Sequence, residues 1–212
     1  MSTDPPSGGR LNPIRGRVAR SGDTPASSAN IANIITVIRI FMAPAFVWLL
    51  LADEGQMGAL RLVAALLFIV AILTDSVDGI LARRQNLITD LGKILDPIAD
   101  KVLIGGALVA LSILGEVPWW VTIVILVREI GITVFRFVVI RSRVIAASRG
   151  GKLKTVLQAV TLSMFLLPLV PILGGWILVV DGILMAATVI VTTLTGADYL
   201  LKARQSTRVP PS

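Results

Sequence analysis

Polar and apolar positions separate along this chain into long blocks. Six stretches, at roughly 33–52, 58–83, 93–115, 117–140, 153–173 and 176–200, are apolar almost throughout, and charged residues gather between them. Each is long enough for the ~20 residues that a helix needs to cross the hydrocarbon core of a bilayer. In lipid no water satisfies backbone groups, so each segment is expected to be a helix. The pattern predicts an all-α integral membrane protein with six transmembrane helices. Residues 1–30 are rich in Pro, Gly, Ser and Arg and lack the apolar region of a signal peptide. They read as a disordered cytoplasmic tail, followed by a six-helix domain over 31–204 and a flexible tail over 205–212.

The basic residues set the orientation. Arg10, Arg15, Arg17 and Arg20 lie in the N-terminal tail, Arg83, Arg84 and Lys93 between segments two and three, and Arg141, Arg143, Arg149, Lys152 and Lys154 between four and five. Lys202, Arg204 and Arg208 follow segment six, whereas the alternate loops hold Asp53, Glu54 and Glu116 with Arg61 as the one nearby cation. Both termini are therefore expected in the cytoplasm of a protein of the cell membrane. The net charge of +7 and the pI near 10.8 follow from this asymmetry, so no nucleic acid partner is expected. Composition agrees: 55% of residues are hydrophobic and 16% charged, unlike a soluble domain.

The chain has no cysteine and no histidine. Thiol nucleophiles, imidazole bases and Cys/His zinc sites are thus excluded. A general base must be a carboxylate, a lysine or the single tyrosine, Tyr199, and a bound metal must be a hard ion with oxygen ligands.

Against that background, aspartates at the ends of apolar segments are conspicuous, because ionisable groups there are costly and point to function. Asp75, Asp78, Gly79, Ala82, Arg83, Gly92, Asp96 and Asp100 form the pattern D-x2-D-G-x2-A-R-x8-G-x3-D-x3-D. Asp75, Asp78, Gly79 and Ala82 share one stripe of the second helix, and Asp96 and Asp100 one face of the third. A reversal near 86–89 would bring the two faces together. Four converging carboxylates repel one another unless cations intervene, and a pair of Mg²⁺ or Mn²⁺ ions suits such a shell when a substrate phosphate completes it. Gly79 and Ala82 leave a notch for a ligand, and Arg83 suits a phosphate. Pro97 is either a kink or a first-turn proline of the third helix. The bland alternative is a solvated helix end paired with Arg83, Arg84, Lys93 and Lys101.

Three further features each admit two readings. Asn33, Thr36 and Arg39 are a helix cap with a snorkelling arginine, or part of a ligand site. Arg128–Glu129 is an internal ion pair or contributes to substrate binding, with Arg136 about two turns on. Gly150-Gly151-Lys152-Leu153-Lys154-Thr155, followed by Gln158, is a basic loop or an anion site.

The aspartate pattern resembles the signature of the CDP-alcohol phosphatidyltransferases, membrane enzymes of six transmembrane helices that join a CDP-linked phosphoryl donor to an alcohol and release CMP. The resemblance implies that Asp75, Asp78, Asp96 and Asp100 bind two Mg²⁺ or Mn²⁺ ions and that Asp100 is the catalytic base. It also implies that Asn33, Thr36, Asp75, Gly79, Ala82 and Arg83 hold the CDP donor. Arg128–Glu129, the Gly-Lys-x-Lys-Thr-x2-Gln run and Gly196-Ala197-Asp198-Tyr199 are similar to the branch that makes phosphatidylglycerophosphate, so that the likeness covers about 30–204. That branch implies CDP-diacylglycerol as donor and sn-glycerol 3-phosphate as acceptor. Arg128, Arg136, Lys152 and Lys154 would then hold the acceptor phosphate, in a homodimer whose site faces the cytoplasm. Phosphatidylglycerol (giving cardiolipin) and inositol phosphate are the alternative acceptors. A six-helix transporter is disfavoured, because no internal repeat is visible and the acids lie at helix ends.

Overall fold

The computed structural model describes the backbone of residues 26–85, 90–139 and 149–206, and side chains over 35–74, 97–135 and 153–201. Seven helices make up these residues: α1 (Ala26–Ala52), α2 (Ala59–Gln85), α3 (Asp90–Ile113), α4 (Trp119–Val139), α5 (Arg149–Leu166), α6 (Val170–Leu173) and α7 (Ile177–Ser206). No strand occurs among the described residues. Six of the helices coincide with the six apolar segments, and α6 is a single turn split from the fifth.

Helix α1 packs on both α2 and α3, α3 on α4, and α4 on α7, while α5 touches α2, α3 and α7. Small residues allow this close approach: Ala43, Ala64, Ala65, Ala71, Ala99, Ala107 and Ala110 are buried, as is common where helices associate in lipid. At Gly106 a Cβ would meet Val47 Cγ2 at 3.0 Å, and at Gly105 one would meet Leu126 Cδ2 at 3.2 Å. These two glycines let α3 lie between α1 and α4. Phe46 and Phe68 meet with ring centroids 5.5 Å apart in a core that also holds Leu50, Leu103, Leu111, Ile125 and Leu162. The outward faces of the bundle are rich in leucine, isoleucine and valine, which is the arrangement of a protein whose solvent is lipid rather than water.

Among the described residues two helices, α1 over Ile35–Ala52 and α7 over Ile177–Leu201, are long and apolar enough to cross a membrane, with mean hydropathies of 2.1 and 2.3. Within the described residues α2 and α5 contribute apolar stretches over Ala59–Thr74 and Leu153–Leu166.

One end of the bundle is tied by Arg61. Its guanidinium, fully buried, donates to both carboxylate oxygens of Glu116 at 2.5 Å and to the carbonyls of Phe165 at 2.6 Å and Leu166 at 3.2 Å. Pro168 explains the second pair: it ends α5 by lacking an N–H, and the last carbonyls of a helix need outside donors. Asp53 Oδ1 accepts from the amides of Gly58 (3.0 Å) and Arg61 (3.3 Å), capping α2. Gly115, at φ 75°, reverses the chain after α3 and delivers Glu116 to Arg61. All four tryptophans, Trp48, Trp119, Trp120 and Trp176, are exposed near this end, as amphipathic rings are at a membrane–water interface.

Several boundaries differ from expectation. α1 begins at Ala26, so residues 26–30 of the expected tail are helical; Ala-Ser-Ser-Ala-Asn carries no apolar run yet contains no helix breaker. α7 runs to Ser206, two residues into the expected flexible tail. The fifth segment breaks at 167–169 around Pro168. Pro97 lies inside α3, beyond its first turn, which removes the first-turn alternative. The basic 150–155 stretch is helical from Arg149 rather than a loop, since glycine is tolerated in the first turn, where the amides lack intrahelical partners. Residues 1–25, the reversal at 86–89 and residues 207–212 lie outside the described residues.

Candidate active site

At the end opposite Arg61, α3, α4 and α5 bring charged side chains together beside α7. Asp100 and its neighbour Lys101 enter from α3, Arg128 and Glu129 from α4, and Lys154 from α5. Asp100, Lys101 and Glu129 line a small cavity of about 40 Å³ between α3 and α4, walled by Leu126 and Ile130.

Glu129 is the hub. It is buried, and buried carboxylates are stable only when paired. Its Oε1 receives Arg128 Nη1 at 3.1 Å and contacts the ammonium of Lys154, while Oε2 lies 3.6 Å from Lys101 Nζ. Lys154 is itself buried and also lies within electrostatic reach of Arg128 and Asp100. One carboxylate therefore organises three cations, of which Lys101 lines the cavity.

Arg128 is further tied to α7, donating from Nε to the Thr192 carbonyl at 3.1 Å and from Nη2 to Thr195 Oγ1 at 3.0 Å. Gly196 is small for this reason: a Cβ there would stand 3.1 Å from Arg128 Cγ and 3.2 Å from Nε. Next to it, Tyr199 packs edge-on against Phe135, with centroids 6.0 Å apart. The internal ion pair and the α4–α7 tie are thus both present at Arg128. One helical turn beyond Lys154, Gln158 is fully buried, and its side-chain oxygen and nitrogen have no hydrogen-bond partner.

Helix α1 contributes Thr36 and Arg39, both buried. Arg39 does not snorkel: its Nε donates to the carbonyl of Ala71 at 3.2 Å, one turn before Asp75 on α2. Nor is Thr36 a cap, since α1 starts well before it. Arg39 instead reaches the part of α2 that leads into the aspartate motif.

The backbone carries Asp75, Asp78, Gly79, Ala82 and Arg83 on the last turns of α2, and Gly92 and Asp96 on the first turns of α3. Their side chains, with those of Asn33, Arg136 and Lys152, lie outside the described residues. Accordingly, no group of three potential metal-ligating side chains occurs among the described residues. Of the predicted site residues, the structure brings Asp100, Arg128 and Lys154 together. It adds Lys101 and Glu129 to the cavity; Glu129 is next to Arg128 in sequence, whereas nothing local marks Lys101 as its partner.

Comparison with known proteins accounts for the motif. Residues 29–194 match the model of the CDP-alcohol phosphatidyltransferase family. A Mycobacterium tuberculosis (strain H37Rv) protein named "Probable phosphatidylglycerophosphate synthase" is 49% identical over 178 residues, covering 84% of this chain and 83% of its own. The CDP-diacylglycerol–glycerol-3-phosphate 3-phosphatidyltransferase of Bacillus subtilis (strain 168) is 41% identical over 152 residues, covering 67% of this chain and 79% of its own. That of Rickettsia prowazekii (strain Madrid E) is 34% identical over 174 residues, covering 80% and 93%. The match runs from the first turns of α1 into α7 and includes every helix that builds the cavity, so the chain belongs to the CDP-alcohol phosphatidyltransferases.

Proposed function

We propose that the protein transfers the phosphatidyl group of CDP-diacylglycerol to sn-glycerol 3-phosphate, releasing CMP and forming phosphatidylglycerophosphate. The names of the relatives support the reaction. The observation that carries the acceptor is the clustering of Lys101, Arg128 and Lys154 around Glu129, a residue that lines the same cavity as Asp100. A proton-accepting carboxylate beside a net positive cluster fits an alcohol that itself bears a phosphate.

In this reading Asp100 takes the proton of the glycerol 1-hydroxyl, and that oxygen attacks the phosphorus bearing diacylglycerol. The bond from that phosphorus to the CMP oxygen breaks, and CMP departs with the electron pair. Lys154, Lys152, Arg128 and Arg136 orient the acceptor by its phosphate, so that the hydroxyl rather than water meets the phosphorus. Asn33, Thr36, Gly79, Ala82 and Arg83 receive the donor nucleotide. An all-carboxylate donor set in a chain without histidine or cysteine fits a hard divalent ion. Two Mg²⁺ or Mn²⁺ ions held by Asp75, Asp78, Asp96 and Asp100 would neutralise the donor diphosphate and the charge developing on CMP.

We place the aspartate end at the cytoplasmic face of the cell membrane, with six helices crossing, both termini in the cytoplasm and two copies forming a homodimer. The acyl chains of the donor then remain in lipid while its nucleotide enters from water.

The test incubates purified full-length protein with CDP-diacylglycerol, Mg²⁺ and one acceptor at a time. CMP should appear with glycerol 3-phosphate, stop on addition of EDTA and return with excess Mg²⁺ or Mn²⁺. Release with phosphatidylglycerol or inositol phosphate instead would reassign the acceptor. No release with any of the three would sink the enzymatic reading.

A further inference from the structure

The three cations around Glu129 are not equivalent. Arg128 is fixed by two bonds to α7 in addition to its ion pair. Lys154 is only 7% exposed at its side chain and rests directly on Glu129 Oε1. Lys101 makes the longest contact, 3.6 Å, and has the most exposed side chain of the three, at 24%. It also lines the cavity, one residue from Asp100. Three positive groups outnumber the carboxylates of Glu129 and the neighbouring Asp100, so the cluster stays positive, whereas a phosphate monoester at neutral pH carries about −1.5 to −2. The cluster is thus opposite in charge to a phosphate, and Lys101 is the member able to turn toward one without undoing the α4–α7 tie.

We propose that Lys101 is a further acceptor-phosphate ligand, held in readiness by Glu129, which acts as its positioning residue; this inference rests on the phosphorylated-acceptor reading above. In the free enzyme the Glu129 carboxylate occupies Lys101 and keeps the ammonium beside Asp100. On binding, the acceptor phosphate replaces that carboxylate as the partner of Lys101, while Arg128 and Lys154 stay on Glu129. The base and this phosphate ligand then lie on one turn of α3, which fixes how far the reacting hydroxyl sits from the phosphate. Lys101 thereby selects acceptors carrying an anionic group over glycerol itself.

The experiment measures CMP release by the full-length enzyme with Lys101→Met and Lys101→Arg, varying each substrate in turn. Losing one charge-assisted contact should raise the glycerol 3-phosphate KM of Lys101→Met by ~10-fold or more. The CDP-diacylglycerol KM should stay within about twofold, since that substrate makes no such contact, and Lys101→Arg should recover most of the loss. A second measurement on the wild type follows reductive methylation of Lys101 by mass spectrometry. Glycerol 3-phosphate should slow the modification and glycerol should not. An unchanged glycerol 3-phosphate KM, a parallel rise in both KM values, or equal labelling with and without glycerol 3-phosphate would overturn the role of Lys101. Those results leave the wild-type reaction intact, whereas an absence of acceptor-dependent CMP release in the wild type condemns the functional reading itself.

Discussion

Asp100 and Glu129 are two carboxylates facing one cavity, and their surroundings give them different work. Glu129 is buried under three cations, so its oxygens are occupied and it serves as a counter-charge. Asp100 is half-buried and borders the open space, where an incoming hydroxyl can reach it. Among the residue types allowed as base, Tyr199 is less well placed, because its ring packs on Phe135. Replacing Asp100 with Asn keeps the shape and removes the proton acceptor. We expect turnover to fall by about 10²-fold or more with little change in thermal unfolding in detergent. Near-normal turnover would show that Asp100 is not the base. The motif aspartates were legible in the sequence because carboxylates stand out against apolar neighbours. Lys101 was not: its pairing with Glu129 joins α3 to α4 across 28 positions, and such long-range partners leave no local mark.

At the scale of elements, the helices were readable because lipid demands long apolar runs, but their ends depended on single residues. Pro168 cuts α5 from α6, and the carbonyls it strands at Phe165 and Leu166 are taken up by Arg61. Arg61 was visible as an isolated cation among acidic loops, and its fourfold bonding to α5 and the α3–α4 link was not, since those partners lie about 55 and 105 positions away. Likewise the Gly150–Gly151 start of α5 read as loop because glycine marks turns as readily as first helical turns. The Arg61 clamp has a measurable consequence. Glu116→Gln would leave a fully buried guanidinium without its hydrogen-bonded counter-charge, and breaking a buried pair costs on the order of 3–5 kcal/mol. The Glu116 side chain is 21% exposed, so water partly compensates and the loss belongs at the lower bound, about 3 kcal/mol. Thermal unfolding in detergent should show it as a clear drop in Tm, with the KM of glycerol 3-phosphate unchanged because the clamp lies at the far end of the bundle. An unaltered Tm would mean that Arg61 is held by the α5 carbonyls alone.

For the whole molecule, charge and chemistry divide between the two ends. One end has the tryptophans, Asp53, Glu116 and the Arg61 clamp; the other has the Glu129 cluster and continues into the motif turns of α2 and α3. In the proposed orientation, which the Lys and Arg of the links favour, the second end meets the cytoplasm, where CDP-linked donors and phosphorylated acceptors are soluble at their polar parts. This orientation can be tested cleanly because the chain has no cysteine. Single cysteines at Glu54, an exposed residue of the α1–α2 turn at the clamp end, and at Thr3 and Ser212 near the termini would be treated with a membrane-impermeant maleimide in intact cells. Glu54→Cys should label at once, whereas Thr3→Cys and Ser212→Cys should label only after permeabilisation. Labelling of both termini in intact cells would invert the molecule and put the cation cluster on the wrong side for its substrates. Labelling of one terminus alone would mean an odd number of crossings, so that one of the six long helices does not span.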